Sequence, residues 1–338
     1  MTVIGWDIGG ANTKAARVAG DAAIAARNER FELQRAPTTL VARLQAIAMA
    51  LGADGSETHA LTMTAELSQL FRTKREGVSY VLDAVEHAFP GAPLFVYAVD
   101  GRFLDPGQAR HDPLLVAASN WTATATLIAS RVRDAILIDV GTTTTDIIPI
   151  VSGRVAATGR TDPERLLSGE LLYLGAVRTP VEAIVHQAPL KDGLAGVSAE
   201  SFSLAGDVFL WRGDLTPAAY TTPTPDARPA TREFAGERLA RVVCADRELL
   251  TDADIDRIAD FVADAMIVRI AGSIKRVHAH HPHITTAVLA GHGAFLGRAA
   301  ALRAGLRAGD DPISANAPGA ETACAVACLL ARALGHQP

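Results

Sequence analysis

Three cysteines in 338 residues cannot build a disulfide framework, so packing must hold this chain together. No apolar stretch approaches the roughly 20 residues that cross a bilayer. The N-terminus enters a strand without a basic leader, and the expectation is a cytoplasmic protein with no membrane partner. Long runs of one charge sign are also missing. With 37 acidic against 32 basic residues the net charge is −5, which argues against nucleic acid as a partner.

What is present is an ordinary globular composition, 49% apolar and 20% charged, long enough for two domains with a substantial core each. Cys324 and Cys328 are four apart in the apolar helical stretch 320–334, a spacing that reads as packing rather than a metal pair. Two segments 132 residues apart say nearly the same thing. Val3-Ile4-Gly5-Trp6-Asp7-Ile8-Gly9-Gly10-Ala11-Asn12-Thr13-Lys14 and Ile136-Leu137-Ile138-Asp139-Val140-Gly141-Thr142-Thr143-Thr144-Thr145-Asp146 each run apolar strand, Asp-(Ile/Val)-Gly, small polar residues, then a second apolar run. Either copy alone could be a plain β-hairpin; repetition at matching places in two halves points to a shared task. An acid at a strand end followed by glycine lets backbone N–H groups approach phosphate, and its carboxylate can hold a hydrated Mg²⁺. Two such turns facing each other would clamp a phosphorylated ligand.

Strand-like runs at 3–8, 15–18 and 22–29 open the first half, followed by helical spacing over 39–51, a strand at 60–64, a helix at 77–89 and a strand at 94–99. An Ala- and Leu-rich helix over 113–133 leads to a recurrence of the three-strand pattern at 135–140, 145–151 and 153–158. Regularity drops over 161–250, with Pro and Thr clustered at 215–231; a long helix at 252–278, a strand at 285–290 and a helix after Gly291-His292-Gly293 follow. The expected fold is α/β, a duplicated RNase-H-like arrangement as in actin, heat-shock chaperones and sugar kinases. It comprises a first domain over 1–133 and a second over 134–338, with an irregular insertion at 161–250 and a central cleft between the domains.

Several segments resemble one narrower family: 7–14, Met63-Thr64-Ala65-Glu66-Leu67 with Lys74-Arg75-Glu76-Gly77-Val78, Ala118-Ser119-Asn120-Trp121, 142–150, and Gly169-Glu170-Leu171 with Arg178-Thr179-Pro180. They resemble the hydantoinase/oxoprolinase-related proteins of tetrahydromethanopterin-linked one-carbon metabolism, whose archaeal counterpart is the aryl-ether synthase of methanofuran biosynthesis. The pattern departs at Ala65, where glycine is expected, and at Thr142, where serine is common. The resemblance implies a transfer without ATP: the phenol oxygen of a tyrosine or tyramine derivative attacks a furanylmethyl diphosphate, making an aryl methyl ether of methanofuran or methylofuran. It implies small molecules as partners and leaves the oligomeric state open, while the paired turns and their carboxylates suit Mg²⁺ as cofactor with a diphosphate as well as with ATP. The competing reading is an ATP-dependent small-molecule kinase or ATPase; an actin-like nucleotide-responsive binding protein is a third.

The residues sort accordingly. Asp7 and Asp139 are the Mg²⁺-side carboxylates, and Asp146 is a third carboxylate or a turn cap. Gly9, Gly10, Asn12, Thr13, Gly141, Thr142, Thr143 and Thr144 offer donors to phosphate, and Lys14 reaches phosphate or stands exposed on its strand. Glu66 is the candidate base for a phenol whose own pKa is about 10. Lys74 and Arg75 supply charge or simply begin a solvated helix. Asn120 and Trp121 flank an aromatic ligand or fill core, and Glu170 and Arg178 bind a substrate's charged end or form a surface pair. Gly291, His292 and Gly293 form a turn toward substrate. His278, His280, His281 and His283 sit where a helix ends, an ordinary place for such residues, and a zinc site is disfavoured.

Overall fold

The computed structural model describes residues 2–310, 317 and 319–335. The chain divides into two compact units, one drawn from the described residues of Met1–Asp134, Ile150–Glu164 and Asp311–Pro338, the other from Ala135–Pro149 and Arg165–Asp310.

In the first unit β1 (Thr2–Ile8), β2 (Asn12–Ala19) and β3 (Ala22–Arg30) form an antiparallel meander. After α1 (Leu40–Ala50), β4 (Thr58–Met63) joins β1 in parallel; after α2 (Lys74–Ala88), β5 (Leu94–Tyr97) joins β4, and β6 (Phe103–Leu104) closes the edge. The sheet order is β3-β2-β1-β4-β5-β6. The central strands β1 and β4 are buried almost throughout, as parallel strands covered on both faces must be. Helix α2 starts at Lys74 rather than Gly77 because the Thr73 side chain caps it, accepting from the Glu76 N–H. A short α3 (Pro106–His111) and then α4 (Asn120–Ala129) follow. The helix expected over 113–133 is confined to α4: Pro113 begins a separate single turn, and Ala118 takes a left-handed backbone (φ 50) that no continuing helix accommodates.

The chain passes to the second unit through β7 (Ala135–Val140), β8 (Thr145–Val151) and β9 (Arg154–Val155). Then come α5 (Asp162–Ser168), β10 (Leu171–Leu172), a hairpin of β11 (Gln187–Leu190) and β12 (Gly193–Gly196), α6 (Ala205–Arg212), α7 (Arg232–Arg241), the 28-residue α8 (Asp252–Ala279), β13 (Thr286–Ala290), α9 (Ala294–Arg303) and β14 (Arg307–Asp310). The second sheet is ordered β10-β8-β7-β13-β14, with β9 also pairing β8, and β13 is parallel to both β7 and β14. Setting β10 aside, β9-β8-β7-β13-β14 repeats the order β3-β2-β1-β4-β5. The fold is therefore duplicated.

Two expectations change. The stretch 161–250, expected as an irregular insertion, holds helices and a hairpin, with 215–231 forming loop and one short turn at Pro217–Ala219; α6 is buried on nearly every side, which erases the one-sided periodicity that would reveal it. Its Asp207 and the Arg238 of α7 form a fully buried ion pair that fixes the two helices together. Where the sequence suggested one break near 133, Ile150–Glu164 and the C-terminal residues group with the first unit. The last helix, α10 (Glu321–Gly335), lies on β1 so closely that a β-carbon on Gly5 would overlap the Ala323 carbonyl. No helix of the described residues is long and apolar enough to cross a membrane.

Candidate active site

In the first unit Asp7 is the penultimate residue of β1, and the antiparallel register sets Lys14 opposite it, with Nζ 3.2 Å from Oδ2. Asp7 is only 4% exposed, and its Oδ1 has no hydrogen-bond partner among the described residues. The turn between β1 and β2 is closed by the Gly9 N–H donating to the Asn12 carbonyl at 2.9 Å. A β-carbon on Gly9 would crowd that carbonyl, while Gly10 faces open space. Thr13 is buried in β2, and Asn12 begins that strand half-buried.

The next strand delivers the second group. At the end of β4 the Thr64 N–H donates to the Ile8 carbonyl at 3.0 Å, and a single turn over Ala65–Leu67 carries Glu66. Glu66 is 1% exposed; no side chain of the described residues hydrogen-bonds its carboxylate, and the polar groups facing it are the backbone N–H groups of Glu66 and Ala118. Helix α2 packs over it: a β-carbon on Gly77 would lie 2.5 Å from Glu66 Cα, so only glycine fits. Burial pushes the Glu66 carboxyl up to about 7, and the Lys74 charge offsets part of that rise. Lys74 Nζ itself sits 3.0 Å from Asp162 Oδ2. Arg75 is exposed and donates to the Arg110 carbonyl at 3.2 Å, so its guanidinium is engaged on that side of α2. Asn120 opens α4 half-buried, and Trp121 is buried in the same helix, as a core tryptophan is.

The second unit repeats the turn. Asp139 is the penultimate residue of β7, and the Gly141 N–H donates to the Thr144 carbonyl at 2.8 Å, the counterpart of the Gly9 bond. This turn is backed by the segment 174–178. Ala176 N–H donates to Gly141 O at 2.9 Å, Arg178 N–H to Thr142 O at 2.8 Å, and Thr145 Oγ1 to Leu174 O at 2.6 Å. A β-carbon on Gly175 would overlap the Thr143 amide. From β13, the Gly291-His292-Gly293 turn comes in against the same place: the Gly293 N–H donates to Val140 O at 2.8 Å, and a β-carbon on Gly291 (φ 81) would overlap Asp139 Oδ1. Thr142, Thr143 and Thr144 are half-buried on the turn, as is His292 on its own.

Other candidates lie differently. Asp146 is bound by the buried Arg165 at 2.7 Å, an arrangement that locks β8 to α5. Glu170 is buried, whereas the Arg178 side chain is exposed, although its backbone N–H supports the threonine turn. The histidines behave as a helix end: His278 Nε2 meets the Ile284 carbonyl at 2.8 Å and His280 Nδ1 the Arg276 carbonyl at 3.2 Å. Among the described residues no three His, Cys, Asp or Glu side chains cluster as a metal cage. Cys324 and Cys328 are buried in α10 with their sulfurs 3.9 Å apart. Sequence reasoning missed Gly175, which no turn or strand signal marks, and Asp162, whose importance comes from its contact with Lys74, 88 positions away.

The model of the hydantoinase/oxoprolinase family matches residues 57–336. This chain belongs to the hydantoinase/oxoprolinase family. Among its relatives is the (4-{4-[2-(gamma-L-glutamylamino)ethyl]phenoxymethyl}furan-2-yl)methanamine synthase of Methanocaldococcus jannaschii, 35% identical over 294 residues, covering 87% of this chain and 86% of that protein. A protein of the same name from Methanococcus vannielii is 38% identical over 145 residues, covering 43% of this chain and 65% of its own length. Among solved structures, component A of the (R)-2-hydroxyglutaryl-CoA dehydratase of Acidaminococcus fermentans aligns over 100% of both chains with TM-score 0.50 and 12% identity, a likeness of fold alone. This family member thus has the duplicated RNase-H-like α/β fold shared by actin, heat-shock chaperones and sugar kinases.

Proposed function

We propose that this chain is an enzyme of methanofuran or methylofuran biosynthesis that joins a furanylmethyl diphosphate to a tyrosine- or tyramine-type phenol, releasing diphosphate. The substrates are read from two relatives named as a (phenoxymethyl)furan-methanamine synthase, one covering 87% of this chain and the other 43%. On the geometric side one observation supports the reading: Glu66 is a buried carboxyl with no side-chain hydrogen-bond partner among the described residues and a pKa raised to about 7, as suits a group that takes a proton near neutral pH.

The chemistry divides between two tasks. As the bond from methylene carbon to diphosphate oxygen breaks, the electron pair leaves with diphosphate, and the furan spreads the positive charge that develops on the methylene. Each turn by itself, 9–14 in the first unit and 141–144 in the second, offers backbone N–H groups and hydroxyls as donors to phosphate oxygens, a preorganised electrostatic role. The phenol O–H gives its proton to a Glu66 oxygen while the phenol oxygen forms the new bond to carbon. Holding the phenol in line is a proximity task.

Mg²⁺ fits these residues. Asp7 keeps one buried oxygen without a hydrogen bond among the described residues, and the Asp139 carboxylate lies against a glycine turn with no room for a side chain. A cation that keeps most of its waters and binds through one or two carboxylates plus substrate phosphates needs no protein cage. When bound, it would neutralise the charge of the leaving diphosphate.

The test is incubation of the purified protein with the furanylmethyl diphosphate, tyramine or tyrosine, and Mg²⁺, followed by mass spectrometry of the ether and measurement of released diphosphate. Product without nucleotide supports the reading. Product only with ATP consumption would replace it with a kinase-type reaction.

A further inference from the structure

A lysine ammonium near a buried carboxylate ordinarily pairs with it. Lys74 is well placed to do so: it stands one helical turn before Gly77, the residue pressed against Glu66, and so shares that side of α2. Yet the Lys74 ammonium is 3.0 Å from Asp162, at the start of α5, and no side chain of the described residues hydrogen-bonds the Glu66 oxygens, which face only the backbone N–H groups of Glu66 and Ala118. The lysine and aspartate side chains are themselves largely covered, at 22% and 18% exposure, so this is more than a solvated surface pair.

We propose that Asp162 is a positioning residue that holds the Lys74 ammonium off Glu66, leaving the Glu66 carboxyl without a cationic partner and therefore able to accept a proton. This rests on the reading of Glu66 as proton acceptor. The charges that act on Glu66 are Lys74 from α2, which favours the carboxylate, and Asp162 from α5, which opposes it. Were the ammonium to swing across, Glu66 would become half of a buried ion pair. An opposite charge at contact distance lowers a carboxyl pKa by roughly 1–3 units and makes it a poor base at neutral pH. In the proposed step the phenol O–H bond breaks as the Glu66 O–H bond forms, the phenol oxygen bonds the methylene carbon, and diphosphate leaves with the electron pair. Glu66 then returns its proton to water. Asp162 touches none of the reacting atoms.

The experiment follows the Glu66 carboxyl by infrared titration of the free enzyme, with Glu66→Gln identifying its band, alongside the pH profile of ether formation. Wild type should titrate near pH 7. Asp162→Asn should lower that midpoint by about a unit or more and reduce kcat at pH 7 with little change in KM. Asp162→Glu should retain the wild-type midpoint, and Asp162→Asn combined with Lys74→Gln should bring it back up. An unchanged midpoint in Asp162→Asn, or a lowered one that persists once Lys74 is removed, would overturn the proposal. A midpoint that moves as expected in a protein that forms no ether would keep the positioning role and reject the proposed reaction.

Discussion

The Cα of Gly291 lies so close to the Asp139 carboxylate that any β-carbon there would overlap Oδ1, while the same β-carbon would also press on the Val140 carbonyl at 2.5 Å. With its positive φ, Gly291 is held to glycine twice over, by space and by backbone conformation. Gly291→Ala should therefore displace the turn from Asp139 and weaken Mg²⁺-diphosphate binding at least tenfold by calorimetry. The fold should survive at a cost of about 1–3 kcal/mol in urea unfolding. Wild-type affinity in this variant would remove the glycine turn from the site.

Glu66→Gln should stabilise the protein while slowing its reaction. Burial raises the carboxyl from 4.5 to about 7, so the folded state holds the proton more tightly than the unfolded one. Stability from this group is complete below pH 4.5 and is lost as pH rises through 7. At pH 8 the amide variant should gain up to about 3 kcal/mol over wild type by denaturant unfolding, since one pKa unit is about 1.4 kcal/mol. Coupling should fall by about 10²–10⁴-fold with diphosphate binding retained. A variant equally fast and no more stable would show that Glu66 is neither strained nor catalytic.

For the metal, Asp7→Asn and Asp139→Asn should each keep a native circular dichroism spectrum and lose most ether formation. Charge stabilisation of a leaving diphosphate by Mg²⁺ is worth several kcal/mol, and about 1.4 kcal/mol is already tenfold in rate. Rates that stay at the wild-type level with chelator present would refute the role of both carboxylates.

Acid should act on His59. Its Nδ1 accepts the Trp6 indole N–H at 2.9 Å, and its ring stacks on Phe89, an arrangement that needs neutral imidazole. Burial lowers its pKa to about 4. The unfolded state takes the proton first, so the contribution of this group is complete above pH 6.5 and is lost as pH falls toward 4. Measured in the Glu66→Gln background, where the opposing carboxyl is gone, about 3 kcal/mol should disappear over that interval. NMR signals of the His59 ring should stay those of the neutral form down to pH 5.

The geometry of the two turns could be read from the chain because its logic is local. The Asp-x-Gly turn repeats within a dozen residues each time, and hairpin chemistry makes Gly9 and Gly141 close it with the same backbone bond. The burial of Glu66 was not legible. It depends on Gly77 packing across helix α2, and its basicity on a lysine held by a residue 88 positions on. Asp146 shows the reverse limit: its sequence position beside the threonine turn suggests function, while Arg165, buried by the tertiary fold, claims its carboxylate. Helix α6 was lost for another reason, since a helix covered on all sides carries no polar face.

The closeness of Gly5 to Ala323 has a consequence for biosynthesis. Strand β1 leaves the ribosome more than 300 residues ahead of the helix that covers it. Until α10 emerges, one face of the central strand has no partner, and the nascent chain carries that apolar surface through the synthesis of more than 300 residues. Folding of the first unit is thereby tied to completion of the second, and a chaperone that shields β1 during translation would act on the segment that also carries Asp7.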